Sequence, residues 1–145
     1  MTTNPALADV QFLAGTWEME LSDASFLPDP DAKVNGSVTF EWIEHGAALV
    51  MRMGDAASWI IGRDDSEPDY QVLYADDRGV SRIYGMSFRD GSWRLWRDTP
   101  EFSQRFEAVV AADQAEINGA WKKSVDGGTT WEHDFKVRYC RLGSP

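Results

Sequence analysis

At 145 residues the chain has the length of one domain, so a single domain spanning 1–145 is expected. Its hydrophobic content of 43% and aromatic content of 12%, with seven Trp and seven Phe, exclude intrinsic disorder, because that apolar surface offsets the entropy of ordering it. The formal net charge of -10, unrelieved by any Lys/Arg cluster, repels phosphate backbones and excludes nucleic acid as a partner.

The opening Met1-Thr2-Thr3-Asn4-Pro5 lacks the basic start and apolar run of a secretory signal. No stretch approaches the roughly 18 apolar residues of a membrane helix, so a cytoplasmic protein with no membrane partner is expected. Pro5 to Leu13 carries spaced apolar residues, begins with Pro and stops before Gly15, which predicts one short helix acting as a plug or lid. After it the chain reads as strands. Gly15 to Leu21 puts Trp17, Met19 and Leu21 on one face, and Thr16, Glu18 and Glu20 on the other. A loop with Pro28-Asp29-Pro30-Asp31 follows, then Val38, Phe40 and Trp42 alternate with polar residues. His45-Gly46 reads as a turn into Ala47 to Met53, and Ala57 to Gly62 is a strand centred on Trp59. Tyr70, Val72 and Tyr74 share a face, Asp76-Asp77-Arg78-Gly79 is a turn, and Val80 to Phe88 is a longer strand ended by Arg89-Asp90-Gly91-Ser92. Trp93 to Arg97, Phe102 to Val110, Glu116 to Lys123 and Trp131 to Arg141 complete the set.

About ten short strands joined by tight turns, with no helices between them, predict an all-β, up-and-down antiparallel barrel, since long sheets curl shut and closure removes exposed edges. A two-sheet sandwich is the competing architecture, which periodicity alone does not separate.

Two distant pieces resemble lipocalin-like, calycin-type barrels: Phe12-Leu13-Ala14-Gly15-Thr16-Trp17, and Tyr139-Cys140-Arg141 near the end of the last strand. The resemblance implies that Trp17 packs where the barrel base closes, covered by Arg141. A guanidinium over an indole gains cation-π attraction while sealing that end. Across most of the chain, Phe102-Ser103-Gln104-Arg105-Phe106, Gly119-Ala120-Trp121 and the run from Asp126 to Phe135 are similar to an uncharacterised lipocalin-like family related in fold to the nitrobindins. That likeness implies a fold and no settled activity.

Ser124-Val125-Asp126-Gly127-Gly128-Thr129-Thr130-Trp131 fits the Asp-box pattern found in sialidase propellers. One copy cannot build a propeller, so the motif reads as a hairpin clamp: Asp126 caps turn N–H groups, glycine supplies positive φ, and Trp131 anchors the turn. Lone Cys140 reads as a small buried side chain, and two His without spaced carboxylates form no recognisable metal site. No motif supports an enzyme class, and no catalytic residue is assigned.

His133 falls in step with Phe135, Val137 and Tyr139 by period 2, which places it inside the barrel if they are inside. Arg82 aligns with Tyr84 and Met86, and Gln104 with Phe106. The leading expectation is therefore a small, largely hydrophobic ligand in a cavity lined by some of Trp42, Met51, Tyr84, Trp96, Phe106 and Trp121. Arg82, Gln104 and His133 are its polar anchors. By resemblance to nitrobindins, which hold ferric haem through a last-strand His, His133 is the candidate for haem ligation; otherwise no cofactor is expected. A third reading makes His133 a general base and Arg82 an anion clamp for a hydrophobic acid, which requires the two to converge in one pocket. Seven Trp are many for one small barrel to cover, so a homodimer is also expected.

Overall fold

Ten antiparallel strands close on themselves in the computed structural model, which describes residues 3–29 and 31–143; Met1, Thr2, Pro30, Ser144 and Pro145 lie outside the described residues. The strands are β1 (Gly15–Ser22), β2 (Val34–Ile43), β3 (Ala48–Met53), β4 (Ala57–Gly62), β5 (Tyr70–Asp76), β6 (Ser81–Arg89), β7 (Ser92–Arg97), β8 (Ser103–Val110), β9 (Glu116–Ser124) and β10 (Glu132–Leu142). Each pairs with its neighbours in sequence, and β1 closes the ring by pairing with β10 from Thr16↔Leu142 to Ser22↔Lys136. The architecture is thus an up-and-down barrel with no free edge, and the sandwich alternative is excluded.

Alternation along the strands builds the core. Trp17 and Met19 of β1, Val38 and Phe40 of β2, Tyr84 and Met86 of β6, and Trp93 and Leu95 of β7 are buried, and their odd-even neighbours are more exposed. The N-terminal segment Pro5–Leu13 is a 3-10 helix. Its buried residues are Leu7, Val10 and Leu13. That three-residue recurrence matches a helix of about 3.0 residues per turn, so the tighter winding puts all of them on one line facing the core. Asn4 caps its start, with Oδ1 accepting from the Ala6 N–H at 3.0 Å.

This helix plugs one end of the barrel. Trp17 is fully buried there and its Nε1 donates to the Leu13 carbonyl at 2.8 Å, tying the first strand to the plug. The Arg141 guanidinium lies 4.3 Å from the Trp17 ring centroid. It also donates to the Ala14 carbonyl at 3.2 Å and to the Phe12 carbonyl. The expected pairing of Trp17 with Arg141 is therefore present, and the Arg adds hydrogen bonds to otherwise open carbonyls at the helix end. Gly15 permits this approach: a Cβ there would meet Arg141 Nη1 at 3.1 Å, and its φ of +129 disfavours L side chains.

The hairpin from β9 to β10 is the clamp expected from its sequence. Asp126 accepts from the Ser124 hydroxyl at 2.8 Å, the Thr130 N–H at 2.9 Å and the Thr130 hydroxyl at 2.5 Å. Gly127 and Gly128 have φ of 72 and 93, and Trp131 Nε1 donates to the Gly128 carbonyl at 3.2 Å. The Thr130 and Ser124 hydrogen bonds hold the Asp126 carboxyl at about 2, below the usual 3.8. A depressed carboxyl stabilises the fold fully above its unfolded value, and that contribution disappears as pH falls through the folded value. The melting temperature should accordingly decline between pH 3.8 and about 2. Asp126→Asn should decline less steeply over that window in thermal denaturation by circular dichroism; parallel curves would contradict this role.

All seven Trp are buried or half-buried within the one chain, so their number does not of itself call for a second copy. No helix among the described residues is long and apolar enough to cross a membrane.

Candidate functional site

The barrel interior beyond the plugged end holds a cavity of about 290 Å³. A volume near the lower bound of about 300 Å³ for ligand pockets suits a small molecule. Its wall is apolar and soft. Met19, Met51, Met53 and Met86, four of the five methionines, line it together with Ile61, Val72, Leu95 and Val137. Unbranched thioethers re-pack around differently shaped partners, so this lining adapts to its occupant.

Aromatic rings form a belt around the same space. Trp59 contacts Tyr74, Tyr84 and Trp121 at centroid distances of 4.7, 5.0 and 6.0 Å. Phe106 stacks on Trp121 at 5.1 Å, and Phe135 follows at 6.3 Å. Trp93 also faces the cavity, and its Nε1 is buried with no hydrogen-bond partner among the described residues.

Polar groups gather toward the end opposite the plug, where the hairpins after β5, β7 and β9 lie. Arg82 and Gln104 line the cavity, as the period-2 reading of β6 and β8 expects. The Tyr84 hydroxyl donates to Gln104 Oε1. Burial pushes the Tyr84 pKa up, opposed by hydrogen bonding and attraction from Arg82. The Arg82 guanidinium lies over the Phe102 ring at 5.3 Å. At the end of β5, Asp76 accepts from the Tyr74 hydroxyl at 2.6 Å and from Arg78 at 2.6 and 3.0 Å. These bonds, that from Arg78 first, hold the Asp76 carboxyl well below the usual carboxylate range. Burial, then the bond to Asp76, pushes Tyr74 up to about 12.

Met51, Tyr84, Phe106 and Trp121 line the cavity as the sequence predicts. Three candidates do not. His133 is exposed on the outer wall, where its Nε2 lies 2.9 Å from the Asp23 carbonyl oxygen and 3.2 Å from Asp23 Oδ2. The cause is a β-bulge: His133 pairs with Lys122 and Phe135 with Trp121, leaving Asp134 as an extra residue between them. One inserted residue inverts the faces on either side, so the inward step from Phe135 does not reach His133. Asp134 is held by the loop after β1, its carbonyl accepting from the Ser25 N–H at 2.9 Å and its carboxylate from the Ser25 hydroxyl at 3.2 Å. A haem seated in this cavity would not meet the His133 imidazole, so the lining does not fit nitrobindin-type ligation through that residue. Nor do His133 and Arg82 converge in one pocket, as an acid-base role would need.

Trp96 is the second correction. Trp93 and Leu95 take the inward register of β7, which turns Trp96 outward over Gly85. A Cβ at Gly85 would lie 2.3 Å from the Trp96 ring, so the absent side chain is what lets the indole lie flat on the wall. Trp42 is the third. It shares the inner side with Val38 and Phe40 but stands past the Gly15↔Phe40 pair, at the plugged end, half-buried against the core and outside the cavity. Trp59, Tyr74, Arg78, Trp93 and Phe135 line the cavity and were not among the sequence candidates. The alternation Tyr70, Val72, Tyr74 carries a signal for Tyr74, and nothing local separates Trp59 from its outward neighbour Ile60.

No family model matches this chain, and no curated protein matches it. Among solved structures, the chain is similar to the crystal structure of Rv2717c from M. tuberculosis, with a TM-score of 0.60 and 12% sequence identity over 98% of this chain and 100% of that one. At that identity the likeness is one of fold alone: a closed antiparallel barrel shared from end to end.

Proposed function

We propose that this barrel binds a small, largely hydrophobic molecule in its interior. The observation that carries the reading is the cavity itself, about 290 Å³ bounded by methionine and aromatic side chains, with its charged and amide groups, Arg78, Arg82 and Gln104, at the end opposite the plug. A core built only for stability packs to a density near 0.75 and leaves few voids larger than a water molecule. The purified protein should bind octanol with a Kd between about ten micromolar and a millimolar, as expected for a ligand of this size.

Calorimetric titration is the direct measurement, and quenching of the lining tryptophans supplies a second readout. Leu21 lines the cavity and is only half-buried, so Leu21→Trp adds bulk from the barrel wall with little cost to the core. The variant should keep the parent's melting temperature and lose at least about tenfold in affinity, since bulk in a preformed pocket removes space the ligand needs. Absence of binding by the parent at millimolar octanol, or equal binding by a folded Leu21→Trp variant, would refute the reading.

A further inference from the structure

We infer that the ligand of this cavity is a small organic acid, its carboxylate held by Arg82 and Gln104 and its apolar part filling the interior. The inference rests on the cavity-binding reading above. Charge pairing is its first support. The chain carries 24 acidic residues against 14 Lys and Arg, so a cation has carboxylates in surplus to choose from. Three carboxylates at this end are engaged with other cations: Asp76 with Arg78 at 2.6 Å, Asp98 with Arg105 at 2.5 Å and Asp134 with Lys123 at 3.8 Å. Arg82 has no carboxylate partner among the described residues, although it lines the cavity. The ring of Phe102 supports its guanidinium by cation-π attraction, and of its five N–H donors only the one turned to the Tyr84 hydroxyl is engaged, which leaves others for an acceptor.

Hydrogen-bond polarity is the second support. Gln104 accepts from the Tyr84 hydroxyl through Oε1, which turns its amide nitrogen into the group it has left to offer. Both available anchors, guanidinium and amide N–H, are therefore donors. A cationic or donor-bearing ligand finds in them only the second lone pair of Gln104 Oε1, whereas a carboxylate accepts from both donors. Arg97 adds positive charge near Tyr84 while its own Nη1 is committed to Thr99 Oγ1 at 3.3 Å and the Phe102 carbonyl at 2.7 Å. Apart from Arg78 and Arg82, the lining carries no charged side chain, which suits the tail and not a second charge.

Octanoate, octanol and octylamine, equal in chain length, separate head-group recognition from filling of the cavity. Titrated calorimetrically at neutral pH and low salt, octanoate should bind at least about tenfold more tightly than octanol, the factor a charge-assisted hydrogen bond supplies. Octylamine should bind most weakly. Arg82→Met keeps much of the side-chain bulk and should erase the octanoate preference, so that octanoate and octanol bind this variant within about twofold of each other. Equal affinity for octanoate and octanol would overturn the acid assignment and leave the cavity reading standing. A preference for octylamine, or an octanoate preference that survives in Arg82→Met, would overturn it as well. Failure of all three to bind would refute both readings together.

Discussion

Trp17→Ala is expected to cost about 3 to 5 kcal/mol of unfolding free energy, the range for truncating a large buried aromatic. The indole is fully buried at the plugged end, among Leu7, Val10 and Leu13, and its removal leaves a cavity where the helix meets the first strand. Two further losses add to that. The Leu13 carbonyl forfeits its 2.8 Å donor, and Arg141 forfeits the ring 4.3 Å from its guanidinium. Because typical domains are stable by only about 5 to 15 kcal/mol, the variant should be marginal or unfolded at ambient temperature. Urea denaturation followed by tryptophan fluorescence measures it. Trp17→Phe should recover part of the loss by refilling the space without restoring the hydrogen bond. A midpoint for Trp17→Ala close to the parent's would mean that the plug contributes little to the fold.

Gly119→Val should be the next most damaging change, by about 3 kcal/mol, the upper part of the range for overpacking. Gly119 sits between Ala108 of β8 and Val137 of β10, both inward residues, so a side chain there enters the core. A Cβ would lie 2.6 Å from the Ala108 Cβ, 2.8 Å from the Glu107 carbonyl oxygen and 2.9 Å from the Phe106 ring. The carbonyl belongs to a paired strand and cannot move without breaking the ladder, whereas the other two contacts can be relieved. Ala108→Gly combined with Gly119→Ala should therefore recover only part of what Gly119→Ala alone loses. Thermal melts of the two single variants and the double variant measure this coupling, and full recovery would show that the backbone contact is harmless. Phe106 also lines the cavity, so Gly119→Val should weaken octanol binding along with stability.

Strand positions were legible because period-2 patterning is a local property, and ten strands without intervening helices leave few ways to satisfy their edges. The segments read at Ala57 to Gly62 and Glu116 to Lys123 coincide with β4 and β9 to within a residue. The Asp126 turn was legible for the same kind of reason, since its partners neighbour it in sequence, and the resemblance to calycin-type barrels implied the meeting of Trp17 with Arg141 where the barrel closes. Arg82, Gln104, Tyr84 and Met51 followed once the inward face of a regular strand was known.

The failures share one physical cause, which is that face assignment is only as good as the register across every residue counted. At β10 the count from Phe135 to His133 crosses Asp134, and a bulge there exports the imidazole to the outer wall. What holds that bulge is Ser25, more than a hundred positions away in the chain, so no local pattern announces it. At β7 Trp occupies both faces, and the choice between Trp93 and Trp96 depends on the absent side chain of Gly85 on the neighbouring strand. At β2 Trp42 has the correct face and the wrong height, because the plug closes the barrel below it. The amino-acid sequence by itself thus determined the class of fold, the strands and the turn clamp, consequences of local periodicity and chemistry, while the seal of Arg141 on Trp17 was implied by the resemblance to calycin-type barrels. Only the tertiary structure decided which side chains surround the cavity and which stand outside it, because a single inserted residue or a missing Cβ, felt across strands distant in sequence, exchanges the two faces of a sheet.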